Sequence, residues 1–157
     1  MISSTGKKMI VINWEQVFFV HRRIVPAVKR VEFVSDRLSY IVLRGRCRNI
    51  IVVNVHAPSE EKSEESKDSF YEELEQVFYH FPKYHMKILL GHFNAKVGRE
   101  IIFKPTIGQE GLHQDSNDNG LVNFATSKNL VVKSMMYPHR NIQKYTWTSP
   151  DGKPQPD

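Results

Sequence analysis

The chain has a single cysteine, Cys47, which excludes an internal disulfide. A lone thiol fits a reducing compartment, so an intracellular setting is expected, and a nuclear one if the partner is DNA. Long apolar runs are missing too. None approaches the roughly 20 residues that a membrane-spanning helix needs, and no membrane partner is expected. Met1 to Lys8 carries charge without a following apolar stretch, so no secretory signal is expected. There is no low-complexity tract and no internal repeat. With 157 residues, these absences point to one domain.

What the chain does have is a modest apolar content and an excess of positive charge. The hydrophobic fraction is 40%, below the usual figure for a globular domain but enough for a core. Lysine and arginine number 22 against 17 acidic residues, a net charge of +5. A basic chain favours anionic partners, and nucleic acid is the first candidate. The competing reading is a basic protein with an ordinary solvated surface.

Hydrophobic patterning suggests alternating strands and helices. Met1 to Lys8 reads as a loose end. Val17 to Val20, Val28 to Val34 and Leu38 to Leu43 read as strands, with His21-Arg22-Arg23 and Arg44-Gly45-Arg46 as turns. Ile50 to Val55 is the strongest strand, rich in β-branched residues, and its largely apolar character implies burial on both faces. With Leu38 to Leu43 it forms an expected hairpin. Pro58 stops it. Phe70, Leu74, Val77, Phe78 and Phe81 recur at helical spacing. Ser69 and Glu72 match a capping box, although an earlier start is open, and Pro82 ends the helix. Met86 to Leu90 reads as a buried strand. The stretch from Val97 to Gln114, with Gly98, Pro105, Gly108 and Gly111, reads as a long loop of the kind that often carries function. Leu121 to Ala125 suggests a second helix that stops at Asn129. Leu130 to Lys133 and Lys144 to Thr148 read as further strands. Ser149 to Asp157 holds three prolines and no apolar residue. Strands alternating with helices, plus a hairpin, indicate an α/β sandwich with a mixed sheet.

Three segments place polar groups at strand exits or helix entries: Val53 to Pro58 with His56, Gly91 to Ala95 with His92 and Asn94, and Ser116 to Gly120 with Asn119. Imidazoles and amides can donate to a phosphate, and a helix N-terminus favours an anion. Each also has a plain structural reading. Asn94 can satisfy loop backbone, Asp118 or Asn119 can be an ordinary helix N-cap, and His56 can be a packed loop histidine. His56 and His92 together invite a zinc reading, but no cluster shows local zinc-ligand spacing. Arg22, Arg23, Lys29, Arg30, Arg44, Arg46 and Arg48 can form a phosphate-facing patch or simply a solvated face.

Gly91-His92-Phe93-Asn94-Ala95 after an apolar strand resembles the Gly-Asp-Phe-Asn-Ala motif of the exonuclease-endonuclease-phosphatase superfamily. More broadly, the chain from about Phe18 to Gly152 resembles the endonuclease domain of LINE-type retroelements. The likeness is carried by FFVHRRIVPAVKRVEFVSDRLSYIVLRGR, VNVHAPSEEK, DSFYEELEQVFYHFPKYHMKILLGHFNAKVGRE, IFKPTIG, SNDNG, VNFATSKNL and YTWTSPDGK. The resemblance implies a two-sheet α/β sandwich of the DNase I-like type. It also implies hydrolysis of DNA phosphodiesters with Mg²⁺ as cofactor. In that family an Asp orients the attacking water, an Asn beside it holds a phosphate oxygen, and a Glu binds the metal.

Carried onto this sequence, Asn94 matches the phosphate-binding Asn, and His92 stands at the position of the water-orienting Asp. His56 stands where many relatives have Tyr and a narrower group has His. Asn119 lies in a loop that shapes the site, and Thr146 and Trp147 match the strand near the substrate. No residue is assigned to metal. The family's amino-terminal segments, including its metal-binding Glu, have no counterpart. The closing Ser-Asp-His segment is absent as well. The expectation is therefore a divergent segment over residues 1–16 and a partial sandwich over 17–157, truncated at both ends. Catalysis should be impaired, and exposed sheet edges should favour marginal stability or association. The alternatives are a non-catalytic module for nucleic acid or protein, or an unselected fragment.

Overall fold

The computed structural model describes residues 2–5, 8–12, 16–59, 61–94, 120–133, 145–148 and 154–156. They belong to two compact units, Met1–Ala57 with Glu72–Phe93, and Pro58–Tyr71 with Asn94–Asp157.

The first unit holds two sheets. Three strands, β1 (Ile2–Thr5), β2 (Lys8–Ile12) and β3 (Val17–His21), pair antiparallel in chain order. The expectation of a loose end over Met1 to Lys8 is thus corrected. Thr5 pairs with Lys8, so only two residues connect β1 and β2. Pairing between strands, rather than apolar content, makes structure of the polar Ile2–Thr5 segment.

The second sheet runs β4 (Val28–Phe33), β5 (Leu38–Leu43), β6 (Ile50–His56) and β7 (Met86–His92) in that order. β4, β5 and β6 are antiparallel, and β6 and β7 are parallel. The sheet is mixed, as the short hairpin between β5 and β6 required. The parallel pair is joined through α1 (Glu64–His80), because parallel strands need a long crossover. The fold is α/β.

β6 is buried on one face, not two. Ile51, Val53 and Val55 are 2, 0 and 2% exposed, while Ile50, Val52 and Asn54 between them are half-buried. The buried face lies under the end of α1. Tyr40, paired with Val53, meets Phe81 edge to face at 5.0 Å, and Phe78 stacks on Phe81 at 5.7 Å. Leu74 is wholly buried, and Glu73 accepts a 3.0 Å bond from the Ser35 hydroxyl. Burying each such apolar side chain contributes about 1.5–3 kcal/mol. Lys87, in β7, avoids burying its charge by donating to the carbonyls of Pro82, Lys83 and His85 at 3.0, 3.4 and 3.3 Å. The opposite face of β7 is open: Met86, Ile88 and Leu90 are 49, 38 and 53% exposed. Among the described residues β7 is an edge strand.

α1 begins at Glu64, five residues before the expected cap at Ser69. The carbonyl of Ser63 accepts from the N–H groups of Ser66 and Lys67. Glu64 and Glu65 occupy the first turn, where the helix dipole favours negative charge.

In the second unit, Phe70 and Tyr71 stack at 5.2 Å, and Tyr71 meets Phe124 at 6.5 Å. α2 (Gly120–Ser127) buries Leu121, Val122, Phe124 and Ala125. Its end follows the expectation at Asn129, which has φ 53°. The N–H of Asn129 donates to Thr126 and that of Leu130 to Ala125, closing the helix in a Schellman motif. The expected strand over Leu130 to Lys133 is not formed. Val131 and Val132 have strand propensity, but the segment leaves a helix cap with Val131 46% exposed. β8 (Tyr145–Thr148) pairs antiparallel with β9 (Pro154–Pro156). The expected long loop from Val97 to Gln114 lies outside the described residues.

Candidate functional site at the carboxyl ends of β6 and β7

β6 and β7 run parallel, so their carboxyl ends meet. The register sets Val55 opposite Gly91 and His56 opposite His92. Residues in register share a face of the sheet. The two imidazoles are therefore neighbours, with ring centres 5.9 Å apart and planes tilted by 59°. Both side chains are exposed.

The backbone beneath them is fixed. The His56 N–H donates to the Arg37 carbonyl at 2.9 Å, and the Ala57 N–H donates to the His92 carbonyl at 2.9 Å. The Arg37 guanidinium donates to the His56 carbonyl at 3.4 Å. Arg37 itself is held in the β4–β5 turn, where its N–H donates to the Ser35 hydroxyl. It is the one cation at this end of the sheet that sequence reasoning missed. No motif marks it, because its place depends on how the turn folds beside β6.

The glycine of the motif has a structural reason. Gly91 has φ 141°, a conformation that L side chains rarely adopt. A Cβ at this position would also run into the Val55 backbone. Only glycine lets the end of β7 approach β6 closely enough to set the two imidazoles side by side.

Asn94 has φ 49°. Asparagine tolerates this left-handed conformation better than other non-glycine residues. Asn94 belongs to the second unit. So do Thr146 and Trp147, which lie in β8 with Trp147 paired to Gln155. Asn119 lies outside the described residues.

The arginine patch does not surround the imidazoles. Arg44, Arg46 and Arg48 lie in the loop that enters β6, at its amino end, and all three are exposed. The Arg44 N–H donates to the Ala27 carbonyl at 2.7 Å, which ties this loop to the turn bearing Arg22 and Arg23. β6 is seven residues long, so about 20 Å of strand separates its two ends. Arg30 is bound to Glu32 at 2.8 Å, and that hydrogen bond raises its pKa.

Mg²⁺ takes a near-octahedral shell of hard oxygens and is usually held through carboxylates. This end of the sheet offers two imidazoles, which are ligands for softer ions. Among the described residues, no group of three or more His, Cys, Asp or Glu side chains is disposed to hold a metal. The described residues at this end of the sheet do not fit Mg²⁺.

A mixed α/β sheet with polar residues at the carboxyl ends of adjacent parallel strands belongs to a wide class of sheet proteins that place ligands there. Comparison with known proteins is narrower. The chain is similar to craniofacial development protein 2 from Bos taurus and from Tragulus javanicus, 31% identical to each over 135 residues. The match covers 85% of this chain and 23% of either relative. The chain thus spans less than a quarter of the curated relatives that it matches. No family model matches the chain, and no solved structure matches it.

Proposed function

We propose that this chain is a nuclease-like domain of the exonuclease-endonuclease-phosphatase type, descended from a retroelement endonuclease and impaired in phosphodiester hydrolysis. Its partner is DNA, and its setting is intracellular and nuclear. The observation that carries the reading is His92. It ends β7 beside His56, at the place where the resembled family has the carboxylate that orients water.

Exchange of that carboxylate for imidazole removes a negative charge and a hard oxygen ligand. An imidazole near neutral pH can still take a proton from water. It cannot replace the divalent ion that stabilises the charge developing on the phosphate in the transition state. A nucleophile can be prepared, but the leaving oxygen is left unsupported. The experiment is nicking of supercoiled DNA in Mg²⁺ by the unmodified chain beside a His92→Asp variant. Nicking no faster than background by the unmodified chain supports the reading, and robust nicking refutes it.

A second reading is favoured by one specific observation, the placement of the arginines. Arg22, Arg23, Arg44, Arg46 and Arg48 gather at the sheet end away from the imidazoles and are all exposed. They suit a non-catalytic module that contacts the DNA backbone. Salt-sensitive DNA binding without cleavage is the expected signature. A partner protein in place of DNA would bind through the same end without the steep salt dependence.

A further inference from the structure

We propose that His56 and His92 form a two-imidazole chelate for a borderline divalent transition-metal ion, of which Zn²⁺ is the representative. This inference rests on the register of β6 and β7 and on ligand chemistry, and it does not depend on the nuclease reading. The two histidines are far apart in sequence and show no local ligand spacing. The fold supplies the spacing that the sequence lacks, by placing His56 opposite His92 on adjacent parallel strands.

The geometry suits one ion between the rings. A zinc–nitrogen bond of about 2.1 Å puts the ion roughly 3.2 Å from each ring centre, so centres up to about 6.4 Å apart can share it. The observed separation is 5.9 Å. Both rings are exposed, and a tetrahedral angle at the ion would bring their centres to about 5.2 Å. No hydrogen bond to either ring nitrogen is formed among the described residues, so both nitrogens are open to ligate. His80 and His85 contrast with them. The His80 ring is bound to the Gln76 carbonyl at 2.6 Å, and the His85 ring faces the Asn49 amide at 3.1 Å.

The backbone under the pair is pre-set. The Ala57 N–H to His92 carbonyl bond of 2.9 Å ties the ends of β6 and β7, and a second 2.9 Å bond ties His56 to Arg37, so the second imidazole is already in place when the first binds. That is the condition under which a second ligand acts as if at high local concentration. The remaining coordination positions are open to water or to an anion. Imidazole ligands favour Zn²⁺, Ni²⁺ and Cu²⁺ over Mg²⁺.

The test is calorimetric titration of the full chain with ZnCl₂ and, separately, MgCl₂. The variants are His56→Ala, His92→Ala and His80→Ala, each checked for an unchanged melt. The expected result is one Zn²⁺ per chain and no measurable Mg²⁺ binding at the same concentrations. Either His56→Ala or His92→Ala should weaken Zn²⁺ by about tenfold or more, while His80→Ala leaves it unchanged. EPR of the Cu²⁺-loaded chain should show two nitrogen ligands, falling to one in each single variant. Zn²⁺ affinity that survives loss of either histidine would overturn the proposal, as would equal affinity for Mg²⁺.

Discussion

At one end of the four-stranded sheet, β6 and β7 stop at two imidazoles over a hydrogen-bonded backbone, with Arg37 nearby among the described residues. At the other end, the loop entering β6 and the turn before β4 gather five exposed arginines and no site-like geometry. The first end has two exposed imidazoles at the carboxyl ends of adjacent parallel strands. The second has the charge of a nucleic-acid surface without chemistry. The contrast teaches that the proposed ion site and the proposed DNA contact draw on opposite ends of one sheet and can be altered independently.

The largest expected effect is at the arginine end. Replacing Arg44, Arg46 and Arg48 together with Ala should flatten the salt dependence of DNA binding by about 3 in log–log slope, roughly one per lost phosphate contact. Filter binding across a salt series measures it. His56→Ala and His92→Ala should leave that slope unchanged. If the histidine variants weaken DNA binding as much as the arginine variants do, the separation of the two ends is wrong.

Next is the backbone beneath the imidazoles. Gly91→Ala should destabilise the chain by about 1–3 kcal/mol, because alanine meets both the φ of 141° and the Val55 backbone. Urea denaturation reads this as a lower midpoint. A wild-type midpoint would mean that β7 does not approach β6 as described. Asn129→Ala, in the second unit, should cost about 1 kcal/mol through its left-handed backbone, and Asn129→Gly should cost nothing or stabilise slightly. The smallest effect is Arg37→Ala, which loses a 3.4 Å bond to the His56 carbonyl and should cost about 0.5 kcal/mol. Its value is as a control, since it alters the cation beside the imidazoles without touching either ring.

Where a side chain's burial and its spacing agree, the sequence was readable. Leu38–Leu43 and the hairpin that follows it were visible from β-branched runs around a glycine turn. Phe70, Leu74 and Phe78 marked the buried positions of α1, and the buried Phe81 follows its end. The signal failed where structure comes from pairing rather than burial. Ile2–Thr5 is too polar to read as a strand, yet it pairs with β2. The first turn of α1 is exposed, so its periodicity is silent until Phe70. Val131 and Val132 look like strand residues and are not, because no neighbouring strand claims them among the described residues. The candidate site was legible in part. His92 and His56 stood out from their motifs, but their adjacency is a property of the parallel register. Arg37 had no signal, and the arginines expected near the phosphate site belong to the opposite end.

The measurement that bears most directly on the central claim is the rate at which the full, unmodified chain nicks supercoiled DNA in saturating Mg²⁺. No nicking above a protein-free control is expected, because His92 stands where the resembled family has its water-orienting carboxylate and no group of side chains among the described residues is disposed to hold Mg²⁺. Robust Mg²⁺-dependent nicking that disappears on adding EDTA would contradict it.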